Sequence, residues 1–253
     1  MTETVLITGA TAGIGEAISL LFAKNKYRVI ITGRRKELLD KLSEKITKEF
    51  NAEVYPLCFD IRSKEAVVAS LKQLPDTFKT IDILVNNAGL AAGIDSIQEA
   101  NYDHWDQMID TNIKGLLYIT RAIAHEMVSR KKGHIINISS IAGKDVYPGG
   151  SVYCATKSAV DALSKGMRID MLKHNMRVTN ISPGAVETEF SLVRFDQDKE
   201  RSKKIYSGYK PLAANDVAEA VYFAASRPAH VNISELTITP AAQANPFFVN
   251  KQE

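Results

Sequence analysis

Short apolar runs rich in Val, Ile and Leu recur along the chain: VLIT (5–8), RVIIT (28–32), EVYPL (53–57), DILVN (82–86), HIINIS (134–139), RVTNI (177–181) and LTIT (236–239). They carry little polar alternation, the pattern of strands covered on both faces. Between them, apolar positions return at helical spacing over about 14–25, 36–50, 63–74, 103–131, 151–174 and 214–226. Regular strand–helix alternation predicts an α/β fold. Right-handed crossovers make it a doubly wound parallel sheet of about seven strands with helices on both faces. No Ser/Pro/Gly-rich linker and no fixed-period repeat divides the chain, so 1–253 is expected to form a single domain. One stretch, VRFDQDKERSKKIYSGYK (193–210), breaks the alternation and is charged, with few large apolar residues. It reads either as a solvated loop or short helix, or as part of a substrate flap at about 186–210.

Composition narrows the class. The chain has 253 residues, of which 45% are hydrophobic and 24% charged, which suits a globular protein with a sizeable core. With 32 basic and 29 acidic side chains the net charge is +3, so nucleic acid is not an expected partner. Cys58 and Cys154 form no close pair, which fits a reducing, cytoplasmic setting. The N-terminus lacks the basic and long apolar regions of a signal peptide. No run of ~18 apolar residues exists to span a membrane. His104, His125, His134, His174 and His230 are scattered without metal-ligand spacing, so no metal is expected.

The first strand runs into TGATAGIG, with Gly9, Gly13 and Gly15 directly before a helix. Glycines allow a tight turn and close approach of a phosphate, and the helix start offers free N–H groups. The second strand ends IITGRRKE. Folds that bind NAD usually place an acidic residue there, whereas arginine suits a 2′-phosphate. Here Arg34 and Arg35 follow Gly33, so NADP is the expected cofactor.

In YCATK, Tyr153 and Lys157 lie four residues apart in a helical run and so share a face. The chain resembles the short-chain dehydrogenase/reductase family over nearly its whole length. The resemblance rests on TGATAGIG, on NNAG at Asn86, Asn87, Ala88 and Gly89, and on Asn112 in DTNIKG. It rests also on Ser140 thirteen residues before Tyr153, on the Tyr153–Lys157 pair, and on Pro183 and Gly184 followed by Thr188. DHWDQMIDTNIKGLLYITRA, TEFSLVRF and PAHVNISELTITPAAQ further resemble the NADP-dependent serine and 3-hydroxy acid dehydrogenases of that family.

The resemblance implies an NADP-dependent oxidoreductase interconverting a primary or secondary alcohol and a carbonyl. Its small-molecule substrates would be 3-hydroxy acids such as serine, allo-threonine, 3-hydroxypropionate or 3-hydroxybutyrate. Tyr153 would be the acid–base group, Ser140 would orient the substrate oxygen, and Asn112 would hold a water of the proton relay. A lysine cation about 4.5 Å from the phenol would favour the phenolate by roughly 3–4 kcal/mol at an effective dielectric of ~20. Lys157 is thus expected to lower the pKa of Tyr153 and to hold the nicotinamide ribose. Cofactor contacts are implied for Gly9, Thr11, Gly13, Ile14 and Gly15 at the turn, and for Asp60 and Ile61 at the adenine. Asn87, Ala88, Gly89, Pro183, Gly184, Val186 and Thr188 complete that set. Substrate contacts are expected from Tyr147, and from Arg194, which sits between apolar Val193 and Phe195 where it can meet a carboxylate. The competing reading ties Arg194 to Asp196 or Asp198. Cys154 reads as a packed small residue. The family resemblance also implies a homotetramer, with contacts near 103–131 and 151–174. A reductase for another carbonyl class, or an NADP-sensing binder without chemistry, would share most of these features.

Overall fold

A computed structural model describes residues 2–195 and 198–252. Seven strands form one parallel sheet: β1 (Thr4–Ile7), β2 (Arg28–Gly33), β3 (Val54–Cys58), β4 (Ile83–Asn86), β5 (His134–Ile138), β6 (Arg177–Pro183) and β7 (Glu235–Ile238). Their order is β3-β2-β1-β4-β5-β6-β7. Each expected strand is present, because runs such as Val5–Ile7, Val29–Ile31 and Ile83–Val85 are buried from both faces.

One helical layer holds α1 (Gly13–Lys24), α2 (Lys36–Phe50) and α10 (Ala214–Ala225). Its core joins Ile18, Phe22, Leu39, Ile46, Val217 and Val221 to one sheet face. The other layer holds α3 (Lys64–Lys72), α4 (Asp76–Lys79), α5 (Tyr102–Ile109), α6 (Leu116–Arg130) and α7 (Ser151–Asp170). There Val67, Phe78, Ile119, Ile123, Met127 and Met171 pack with Leu6, Ile30 and Leu84 on the opposite face. The strand order reverses between β1 and β4, which opens a crevice at the carboxyl ends of the strands.

Two elements differ from the sequence reading, and the charged stretch takes the short-helix form. The run 103–131 is not one α-helix: a π-helical turn, Asp110–Gly115, joins α5 to α6. The run 151–174 ends as a 3₁₀ turn at Leu172–His174. The charged stretch 193–210 includes α9 (Lys199–Tyr206), which follows α8 (Phe190–Arg194). Asp198 caps α9, accepting from Glu200 N and Arg201 N, both at 3.0 Å. Asp196 lies outside the described residues. No helix among the described residues is long and apolar enough to cross a membrane.

Candidate active site

A cavity of about 730 Å³ runs along the carboxyl ends of the strands, from Arg34 and Arg35 to Arg194. At its phosphate end, β1 leads through the turn into α1. Gly13 has φ 57°, a left-handed backbone that favours glycine, and Thr188 packs over it. No side chain caps the start of α1, so its free N–H groups face the cavity mouth beside Ala12, Gly13 and Ile14. This cradle fits a pyrophosphate. Gly15, expected above to contact the cofactor, does not reach the wall. It packs against the Gly9 carbonyl and Asn87, where a Cβ has no room. Asn87 stitches the turn to β4: its Nδ2 donates to the Thr8 and Gly9 carbonyls at 2.9 and 3.1 Å.

Gly9, Thr11, Asp60, Ile61, Asn87, Ala88, Gly89, Pro183, Gly184, Val186 and Thr188 all line the cavity. Asp60 accepts from Arg62 at 3.0 and 2.7 Å, and this pairing holds its carboxyl below the usual range. Arg34 Nη1 stands 4.0 Å from the same carboxylate. Arg35 donates to Thr11 Oγ1 from Nε and Nη2, at 3.2 and 2.9 Å. Two half-exposed guanidiniums therefore flank the end of β2, where β2 itself places no carboxylate. That donor set fits a cofactor carrying a 2′-phosphate.

At the chemical end, Ser140 follows β5, and Tyr153 and Lys157 project from the first two turns of α7. Ser140 Oγ accepts from Ala142 N at 3.1 Å and lies 3.4 Å from the Pro183 carbonyl. Lys157 Nζ donates to the Ile138 carbonyl at 2.9 Å and stands 5.9 Å from the Tyr153 ring centre. The expected tuning of Tyr153 is not seen in the protein alone. Burial pushes the phenol well above 10, and nearby Tyr147 adds to this; Ser140 and the Arg194 charge act the other way. Burial also brings Lys157 down to about 8, against the opposing charge of Asp161. The same desolvation penalises the phenolate and the ammonium that was to stabilise it.

The Asn112 side chain is engaged within the fold. It lies in the π-helical turn, off the cavity wall. Its Nδ2 donates to the Leu90 carbonyl and to Thr156 Oγ1 at 2.8 and 3.0 Å, and its Oδ1 accepts from Leu90 N at 2.9 Å. Both amide hydrogens are used, so the side chain braces the Leu90 loop against α7.

The third part of the cavity is shaped by Tyr147, Phe190 and Arg194. The Arg194 guanidinium lies 5.2 Å from the Tyr147 ring centre and 5.9 Å from that of Tyr153. Its Nε donates to the Gly93 carbonyl at 3.2 Å, and Gly93 N donates back to the Arg194 carbonyl at 3.1 Å. Arg194 Nη2 and the Tyr147 hydroxyl are both buried and unpartnered among the described residues. Asp198, which caps α9, does not pair with Arg194. Sequence reasoning missed Phe190 on this wall, and Glu189 and Gln243 elsewhere on the cavity lining. Gln243 arrives from the C-terminal segment, and its Oε1 accepts from Ala185 N at 2.7 Å. TEFSL and the PAAQ run that ends at Gln243 held the signal for them.

The short chain dehydrogenase family pattern matches residues 3–199, and the chain belongs to that family of oxidoreductases. It is 46% identical over 241 residues to an NADP-dependent 3-hydroxy acid dehydrogenase, YdfG, of Escherichia coli (strain K12), covering 95% of this chain and 96% of that one. It is 42% identical over 244 residues to a serine 3-dehydrogenase of Agrobacterium fabrum, with 96% of each chain covered. Among solved structures, the closed form of a serine dehydrogenase complexed with NADP+ superposes with a TM-score of 0.92 at 44% identity, over 99% of this chain and 100% of that one.

Proposed function

We propose that this protein is an NADP-dependent dehydrogenase of small 3-hydroxy acids, acting on the 3-hydroxyl and on the corresponding carbonyl. The observation that supports the substrate class is the buried Nη2 of Arg194, beside Tyr153 and without a partner among the described residues. A buried cation with an unused donor calls for an anion. A 3-hydroxy acid has its carboxylate two bonds from the reacting carbon. Such a substrate needs its cation close to the acid–base group, and Arg194 is so placed. The Tyr147 hydroxyl, buried beside Arg194 on the same wall, has no well-aligned hydrogen-bond partner among the described residues.

Tyr153 would take the hydroxyl proton during oxidation and return it during reduction. Ser140 would hydrogen-bond the substrate oxygen and hold it facing the phenol. Lys157 would bind the nicotinamide ribose. The Gly13–Ile14 turn would hold the pyrophosphate, with Arg34 and Arg35 on the 2′-phosphate. NADP, when bound, supplies the nicotinamide that accepts or donates the hydride. Phe190, 5.8 Å from the Tyr153 ring, would exclude water. The segment 186–210 would act as the flap that brings Arg194 over the substrate. The working form is proposed to be a homotetramer in the cytoplasm, with Cys58 and Cys154 as free thiols.

The test is a substrate panel of serine, allo-threonine, 3-hydroxypropionate, 3-hydroxybutyrate and simple alcohols, run with both cofactors. Arg194→Ala should raise KM for the acids by roughly 10–100-fold, about 1.4–2.8 kcal/mol of lost binding. Its effect on uncharged alcohols should be small. Equal losses on acids and alcohols would mean that Arg194 only fastens the flap to Gly93.

A further inference from the structure

Arg35 joins two parts of the molecule that are far apart in the chain. While Nε and Nη2 hold Thr11 of the phosphate turn, Nη1 donates to Glu189 Oε2 at 3.2 Å, across 154 positions. Glu189 directly precedes α8, at the root of the proposed flap that lines the cavity. Its neighbour Thr188 packs on Gly13: a Cβ added there would stand 3.2 Å from the threonine Cβ and Cγ2. The proposed flap thus rests on the phosphate turn, and its carboxylate meets the arginine.

Each carboxylate at this end already faces a guanidinium. Arg34 faces Asp60 at 4.0 Å, and Arg62 closes on the same carboxylate at 2.7 Å. Arg35 faces Glu189. Arg34, Arg35, Asp60 and Glu189 all line the cavity wall. The end of β2 has no acid of its own, but the flap supplies one from outside the strand. A 2′-phosphate entering here must compete with a carboxylate for the same guanidinium, whereas a ribose hydroxyl need not.

We propose that Glu189 is a specificity-determining residue, a built-in anion that engages Arg35 until the 2′-phosphate of the cofactor displaces it. The inference rests on the NADP reading given above. Glu189 then weakens the phosphorylated cofactor selectively and leaves NAD untouched, because NAD lets the Glu189–Arg35 pair persist. It also makes the root of the flap sense which cofactor is bound. A half-exposed ion pair of this kind contributes little to stability, so neutralising it should not unfold the chain.

Calorimetric titration at low ionic strength tests the proposal, with NADP+, NAD+ and adenosine 2′,5′-bisphosphate as the probes. Glu189→Gln should bind NADP+ and the bisphosphate roughly two- to fivefold more tightly, the range of an exposed ion pair. NAD+ affinity should stay within error. The gain should disappear in an Arg35→Ala background and shrink in high salt. Arg34→Ala with Arg35→Ala is the separating arm. If that pair loses NADP+ selectively while Glu189→Gln leaves NADP+ binding unchanged or weaker, the role of Glu189 is overturned and the cofactor reading stands. If it weakens NADP+ and NAD+ equally, the arginines do not read the 2′-phosphate, and both readings fall together.

Discussion

Lys157 is only 6% exposed, with its ammonium on the Ile138 carbonyl. A lysine whose pKa falls from 10.5 to about 8 on folding carries a cost of about 3 kcal/mol while both states are protonated. The full cost is present below pH 8. As pH rises from about 8 to 10.5 the folded chain loses its proton before the unfolded chain does. The unfolded state then binds more protons, so stability rises with pH across that window. Lys157→Met should therefore be more stable than the parent by about 2–3 kcal/mol at pH 7, allowing for one lost hydrogen bond. That advantage should vanish by about pH 10.5 in urea unfolding. A difference independent of pH would show that Lys157 does not titrate in this way. The positions of Ser140, Tyr153 and Lys157 were legible because their order and spacing are written along the chain. Their protonation was not, because Coulomb attraction can be drawn from spacing whereas desolvation depends on which other segments close over the pair. The burial of Arg194 was half legible: Val193 and Phe195 pointed to it, but nothing local showed the Gly93 carbonyl as the acceptor of its Nε.

Helix and strand identities followed from periodicity, since long amphipathic or fully apolar runs leave few alternatives. Element interiors were less legible. A π-helical turn adds one residue per turn without a compositional signature, so Asp110–Gly115 read as ordinary helix. The turn has a structural consequence at Asn112, which is 2% exposed and makes three hydrogen bonds to Leu90 and Thr156. Asn112→Ala would leave the Leu90 amide and carbonyl without those partners. It should destabilise the fold by about 2–4 kcal/mol, measured as a fall in the denaturation midpoint. Gly89 faces both groups: a Cβ there would lie 3.3 Å from Asn112 Oδ1 and 3.4 Å from Lys157 Nζ. Loosening the Leu90 loop should thus disturb Lys157 as well, and a variant with unchanged midpoint would show that the brace is dispensable. The segment 193–210 was harder to place because α8 and α9 bury few large side chains. α8 is held by links distant in sequence, Arg194 to Gly93 and Ser191 to Tyr206.

At the scale of the molecule, the sheet order and the crevice at its switch point follow from strand–helix alternation and crossover handedness. Assembly does not follow from these rules, since a single chain shows only which apolar groups it leaves uncovered. Ile169 and Leu172, at the end of α7 and in the turn beyond it, are 75% and 71% exposed. Phe223, on α10, is 47% exposed, and Phe248, in the C-terminal segment, is 70% exposed. α7 and α10 belong to the two helical layers on opposite faces of the sheet. Ile169 with Leu172 and Phe223 therefore cannot be covered by one contact patch. Two separate self-complementary contacts, each with its own two-fold axis, would close the proposed tetramer with dihedral symmetry. Sedimentation should give about four times the chain mass of 27.9 kDa. Ile169→Glu with Leu172→Glu should break one contact and leave dimers, because a carboxylate buried without a partner is costly. Phe223→Glu should leave dimers through the other contact, and combining the three changes should leave monomers. A tetramer that survives both sets of changes would place the interfaces elsewhere. A single step from tetramer to monomer with either set would mean that one contact holds the whole assembly.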